Sequence, residues 1–112
     1  MSARTQTLLW VGQRASAAIL AVCVLVHLIT IIYAVRGGLS GAEILSRTQG
    51  HVGWLGFYAL FVLAVSVHVP IGLRSIFSEW FSWRSASRDW VLAAFASFLA
   101  VFGLRAVYAV FA

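Results

Sequence analysis

Three long apolar runs, Ala15–Val35, Val52–Leu73 and Trp90–Ala112, constrain this chain more than any other feature. Each holds a little over twenty residues. At about 1.5 Å of rise per residue, roughly 20 residues in an α-helix cross the ~30 Å hydrocarbon core of a bilayer. A buried soluble core is the competing explanation, and the composition rejects it. The chain is 62% hydrophobic and 10% charged, where a soluble domain carries roughly 25% charged residues. Too little polar surface is left to cover a globule in water. The predicted fold is therefore all-α and integral to the membrane, with three transmembrane helices over about 15–35, 52–77 and 89–111 in one domain spanning 1–112.

The first run is read as a spanning helix and not as a signal peptide, because fourteen residues precede it and no small-x-small site follows. The single cysteine, Cys23, lies within it, which excludes a disulfide inside the chain and leaves a small packing residue. All basic residues are arginines. Arg4 and Arg14 precede the first helix and Arg74, Arg84 and Arg88 follow the second, against Arg36 and Arg47 in the first loop. The positive-inside rule puts the N-terminus and second loop in the cytoplasm. The net charge of +5 is thus a topological signal, and no solvated basic face remains for nucleic acid. Trp10, Trp80, Trp83 and Trp90 mark the cytoplasmic interface, and Trp54 the outer one.

Along the chain, residues 1–14 are expected to form a polar lead, with an interfacial helix packing Leu8, Leu9 and Trp10. Arg36-Gly37-Gly38 ends the first membrane helix, and the outer loop to Gly50 carries an amphipathic stretch at Ala42–Ser46. The second helix starts near His51 and contains Pro70, expected to bend it. Ser82–Arg88 forms a polar turn before the third helix opens near Asp89. No internal repeat is visible. His27, His68 and Arg105 lie within the apolar runs, and ionisable groups facing lipid are costly. A second membrane subunit, or another copy of this chain, is expected to cover them.

His68 stands six residues before Arg74, about 9 Å inside the cytoplasmic end. A neutral imidazole at that depth can serve as an axial ligand to haem iron. Gly72 lies one turn on and has no side chain to obstruct a flat macrocycle, while Arg74 and Arg84 are placed to meet haem propionates. Glu79, eleven residues on, returns to the His68 face. The other reading is a histidine hydrogen-bonded to a neighbouring helix, and both stand. His27 is thirteen residues beyond Arg14, about 20 Å deep and so about 10 Å further from the cytoplasm than His68. Two axial ligands of one haem share a depth. His27 and His68 of one chain are therefore not a pair for a single haem: either one of them binds, or each serves a different haem completed by another chain. A structural hydrogen bond is the alternative for His27. His51 reads as an interfacial residue, and Arg105 as one that snorkels to the outer surface. Arg14 and Ser16, at the cytoplasmic mouth of the first helix, can hydrogen-bond a quinone carbonyl and stabilise negative charge there, or anchor the interface.

The segment His68-Val-Pro-Ile-Gly72-Leu-Arg74-Ser-Ile-Phe-Ser-Glu79 resembles the second helix of the cytochrome b (membrane anchor) subunit of succinate dehydrogenase/fumarate reductase. Gln13-Arg14-Ala15-Ser16-Ala17 resembles that family's His-Arg-x-Ser-Gly. The chain departs from it at Gln13, where the family has histidine, and at Trp10, where it has serine. The resemblance implies a non-catalytic electron-transfer subunit within a larger haem-binding helical bundle. It implies haem b bound by His68 and supported by Arg74, and a quinone site bordered by Arg14 and Ser16. Flavoprotein and iron–sulfur subunits would dock on the cytoplasmic face of a bacterial inner membrane. Family members with two haems place a deeper ligand in the first helix, as His27 would be. A haem-free structural anchor and a small transporter or channel subunit are the alternative classes; no carboxylate lies within the three runs to couple protons in a transporter.

Overall fold

The computed structural model describes residues 2–38 and 40–112; Met1 and Leu39, which the lead and the outer loop include, lie outside the described residues. Four helices follow in order: α1 (Ala3–Arg36), α2 (Gly41–Thr48), α3 (Val52–Trp80) and α4 (Ala86–Phe111). α1, α3 and α4 are the three membrane spans, each long and apolar enough to cross a bilayer. The first differs from expectation. The lead is no separate interfacial helix: α1 is one continuous 34-residue helix, about 51 Å long by its rise. Ser2 caps it, its hydroxyl accepting from the Thr5 N–H at 3.2 Å, and nothing between Thr5 and Ala15 breaks the backbone. Gly12 is the one weak former there, and it lies against Ile71 of α3.

α1 stops at Arg36, where the Gly37 N–H returns to the Tyr33 carbonyl at 3.1 Å and Gly38 takes φ +87°. α2 is capped by Ser40 and laced by an Arg47–Glu43 ion pair one turn apart at 2.9 Å. α3 runs unbroken through Pro70, which is buried, and continues to Trp80, slightly beyond its expected end. The turn that follows carries Ser82 at φ +53°. α4 opens at Ala86, three residues earlier than expected, with Asp89 in its first turn, where a negative charge complements the helix dipole.

α3 is the central helix, packed against α1 on one side and α4 on the other. The α1–α3 register is antiparallel and steady. Gly12 meets Ile71, Gln13 meets Gly72, Ser16 meets His68, and His27 meets Tyr58. Between α3 and α4, Val62 meets Gly103, Arg74 meets Asp89, and Ser78 meets Arg88. α2 closes the end of the bundle where α1 stops and α4 finishes, called the outer end below. Its Thr48 hydroxyl donates to the Val110 carbonyl at 2.9 Å, the Gln49 amide to the Ala112 carbonyl at 2.8 Å, and the Gly50 N–H to the Phe111 carbonyl at 2.9 Å. These bonds satisfy carbonyls that the end of α4 would otherwise leave without partners. The outward faces of α1 and α4 expose Val22, Leu25, Ile29, Phe98 and Val101, as suits surfaces meeting lipid or other membrane helices.

Candidate functional site

Two polar pairs lie at separate levels of the α1–α3 seam, an inner one nearer the N-terminal end of α1 and an outer one nearer α2. At the inner level, His68 of α3 directs Nδ1 at the Ser16 hydroxyl of α1, 3.4 Å away. Ser16 is only 4% exposed. Its hydroxyl also bonds the Gln13 carbonyl one turn back, at 3.1 Å, a common local bond for a helical serine. Among the described residues, His68 Nε2 has no hydrogen-bond partner. Gly72, one turn further on, faces Gln13: a Cβ there would stand 3.4 Å from Gln13 Nε2. The Gln13 Oε1 atom is buried and has no partner, which is uncommon for a buried acceptor.

At the outer level, His27 of α1 has Nδ1 3.4 Å from the Tyr58 hydroxyl of α3. Its ring meets Tyr58 and Phe61 edge-on, with centroids at 5.8 and 5.7 Å. Tyr58 in turn stacks on Trp54. His27 also lines two clefts, one running outward under α2 past Thr30 and Arg47, the other between α3 and α4 past Phe98 and Phe102. Ser16 and His27 are eleven residues apart on α1, and Tyr58 and His68 ten apart on α3. The two histidines are thus about 15 Å apart in depth, more than the sequence reading expects. They face the same seam but cannot address one flat ligand from its two sides.

The remaining sequence candidates lie elsewhere. Arg14 is exposed, its guanidinium 5.4 Å from the centre of the Trp10 ring, and it points away from the seam that buries Ser16. The structure therefore does not bring Arg14 and Ser16 together: residues two positions apart on an α-helix are turned about 200° from each other. Arg74 pairs with Asp89 of α4 at 3.5 Å, on the α4 side of α3. Arg84 donates to the Ser78 carbonyl at 3.4 Å. Glu79, His51 and Arg105 are exposed.

Sequence reasoning passed over Arg88 and Tyr58. Arg88 counted only as a topogenic charge, yet it is 5% exposed and bonds Asp89 at 2.9–3.0 Å, the Ser78 hydroxyl, and the Trp83 carbonyl at 3.4 Å. Once Ser16 is set opposite His68, an antiparallel register alone places His27 near Tyr58, but that register is a tertiary fact. Among the described residues, no three side chains of His, Cys, Asp or Glu gather closely enough to hold a bare metal ion.

A three-span membrane subunit with single histidines presented at separate depths, and no chelating cluster among the described residues, is the class that this fold and seam define. The chain belongs to the family of succinate dehydrogenase/fumarate reductase transmembrane subunits, which its sequence matches over residues 1–104. No curated protein and no solved structure matches it. It is a multi-pass membrane anchor subunit of that kind of complex.

Proposed function

We propose that this subunit binds haem b through His68 and helps deliver electrons from a flavoprotein and iron–sulfur subcomplex to quinone. The observation that carries the reading is the state of the His68 ring, with one nitrogen held by α1 and Nε2 left without a protein partner. The residues fit such a group. A neutral imidazole with one nitrogen unpartnered among the described residues is a donor that haem iron takes, and Gly72, one turn on, adds no side chain of its own beside it. Haem supplies a one-electron carrier, and an imidazole ligand helps set its potential. His68 would hold the iron, and Arg74 would support a propionate, its charge tempered by the shared Asp89.

Arg14 is our candidate for the quinone carbonyl. It stands on α1 just before the apolar run, at the Trp10 level, where a headgroup meets the interface. His27 is the candidate ligand for a second haem, one completed by another chain. We place the subunit in a bacterial cytoplasmic membrane, where the arginine bias supports an N-terminus inside, which sets the inner seam toward the soluble subunits. A second membrane subunit would cover the apolar outer faces of α1 and α4.

The test is a reduced-minus-oxidised spectrum of the purified complex with pyridine haemochrome quantitation, for the native chain and for His68→Ala. A b-type spectrum that is lost in His68→Ala is the expected result. No haem in an intact complex would leave a purely structural anchor, and a spectrum unchanged by His68→Ala would remove His68 as the ligand.

A further inference from the structure

We propose that Ser16 is the positioning residue of His68: its hydroxyl oxygen accepts the Nδ1 proton, fixing the tautomer and orientation of the ring that would carry the iron. This rests on the haem reading above and adds a role for a residue otherwise grouped with quinone. A serine hydroxyl has one proton and two lone pairs. The Ser16 proton is directed at the Gln13 carbonyl, so what Ser16 offers His68 is a lone pair. The contact at 3.4 Å is then Nδ1–H donating to Oγ. A neutral imidazole protonated at Nδ1 bears its free lone pair on Nε2, the nitrogen with no protein partner.

In the opposite tautomer, the Nδ1 lone pair would confront the Ser16 lone pair. Relief would require Ser16 to abandon Gln13, inside a seam where it is 4% exposed and water cannot compensate. The local bond within α1 therefore sets a preference on α3, across the helix boundary. An acceptor behind a ligating imidazole also raises the basicity of the ligating nitrogen, and such partners typically contribute 10–100-fold to metal affinity. Arg14 does not share this role, since its guanidinium stacks over Trp10 on the far side of the helix.

Ser16→Ala removes one oxygen and improves helix propensity, so the variant keeps the backbone that the assembly needs. The measurement is a redox titration of the haem in the purified complex, with haem per chain determined on the assembled fraction. Expected for Ser16→Ala is an upward shift of the midpoint potential, because a less basic imidazole favours the ferric state less, together with haem retention weaker by about 10-fold or more. Ser16→Thr, which restores a hydroxyl, is expected to return the potential toward the native value. An unmoved potential and full haem in Ser16→Ala overturn the assignment. So does a potential shifted equally in Ser16→Thr, which would trace the effect to packing. His68→Ala run alongside separates the two levels. A haem spectrum that persists unchanged in it removes the haem reading itself. Haem lost in His68→Ala with an indifferent Ser16→Ala removes only the role of Ser16.

Discussion

Arg88 illustrates how much a single side chain can depend on its surroundings. Its guanidinium is buried where α3 ends and α4 begins, and it distributes its donors among Asp89, the Ser78 hydroxyl and the Trp83 carbonyl. Arginine suits that task because its planar fork satisfies several acceptors at once, which lysine's single ammonium does not. Asp89 is half exposed, so the ion pair itself is screened, and the main contribution is from the buried hydrogen bonds. Replacing Arg88 by alanine leaves the Ser78 and Trp83 oxygens short of a donor. It is expected to destabilise the subunit by about 1–3 kcal/mol, with Arg88→Lys recovering only part of this. Thermal unfolding of the purified complex in detergent checks it; an Arg88→Ala complex as stable as the native one would relegate the network to the surface. None of this was legible from the residue alone. A run holding Arg84, Arg88 and Asp89 reads as an interfacial loop, and only the meeting of Ser78 with the α4 entrance turns one of those arginines inward.

At the scale of the elements, hydropathy located the three spans because burial in lipid requires a long apolar run whatever packs beside it. Their ends were less legible. Thr5, Gln6, Thr7 and Gln13 interrupt the apolar pattern, so hydropathy starts the first span at Ala15, although helix continuity needs only good formers and a cap. Ser2 is the cap. The spacing of neighbouring helices is set by small residues that no periodicity reveals. Gly103 lies so close to α3 that an added Cβ would overlap the Val62 side chain, with its nearest methyl 2.5 Å away. Val62 is β-branched and stiff at χ1, so it cannot swing aside cheaply. Gly103→Ala gains up to about 1 kcal/mol of helix propensity, but overpacking typically costs about 1–3 kcal/mol. The net expectation is a subunit less stable by roughly 1 kcal/mol, with Val62→Ala in the same chain restoring it. Melting temperatures of the two single variants and the double variant form the check, and additive losses would show that the two residues do not interact.

For the whole molecule, three spans put residues 2 and 112 on opposite sides of the bilayer, and the arginine bias predicts which of them faces the cytoplasm. Single cysteines replacing Ser2 and Ser46, in a Cys23→Ala background, give the test. An impermeant maleimide added to intact cells is expected to label position 46 only, with position 2 labelled after permeabilisation. The reverse pattern would invert the proposed docking side. The candidate site itself was half legible. His68 and His27 stand out as ionisable groups in apolar runs, and their mismatch in depth follows from counting residues. What each histidine touches does not follow from counting: the hydroxyl facing His68 comes from α1 and the one facing His27 from α3, and both pairings require the antiparallel seam to be in register.

The bonds that close the outer end carry a consequence for how the protein is made. Thr48 and Gln49 lie 62 and 63 residues ahead of the carbonyls they serve. At a synthesis rate of about 5–20 residues per second, they wait roughly 3–13 s for α4 to be translated. During that interval the α2–α3 junction can pair only with water or lipid headgroups. A nascent chain that has not yet reached α4 therefore keeps a loosened α2–α3 junction, its polar groups without the carbonyls they bond in the finished bundle. The arrival of α4 is what closes this end of the bundle, so the junction is expected to order last.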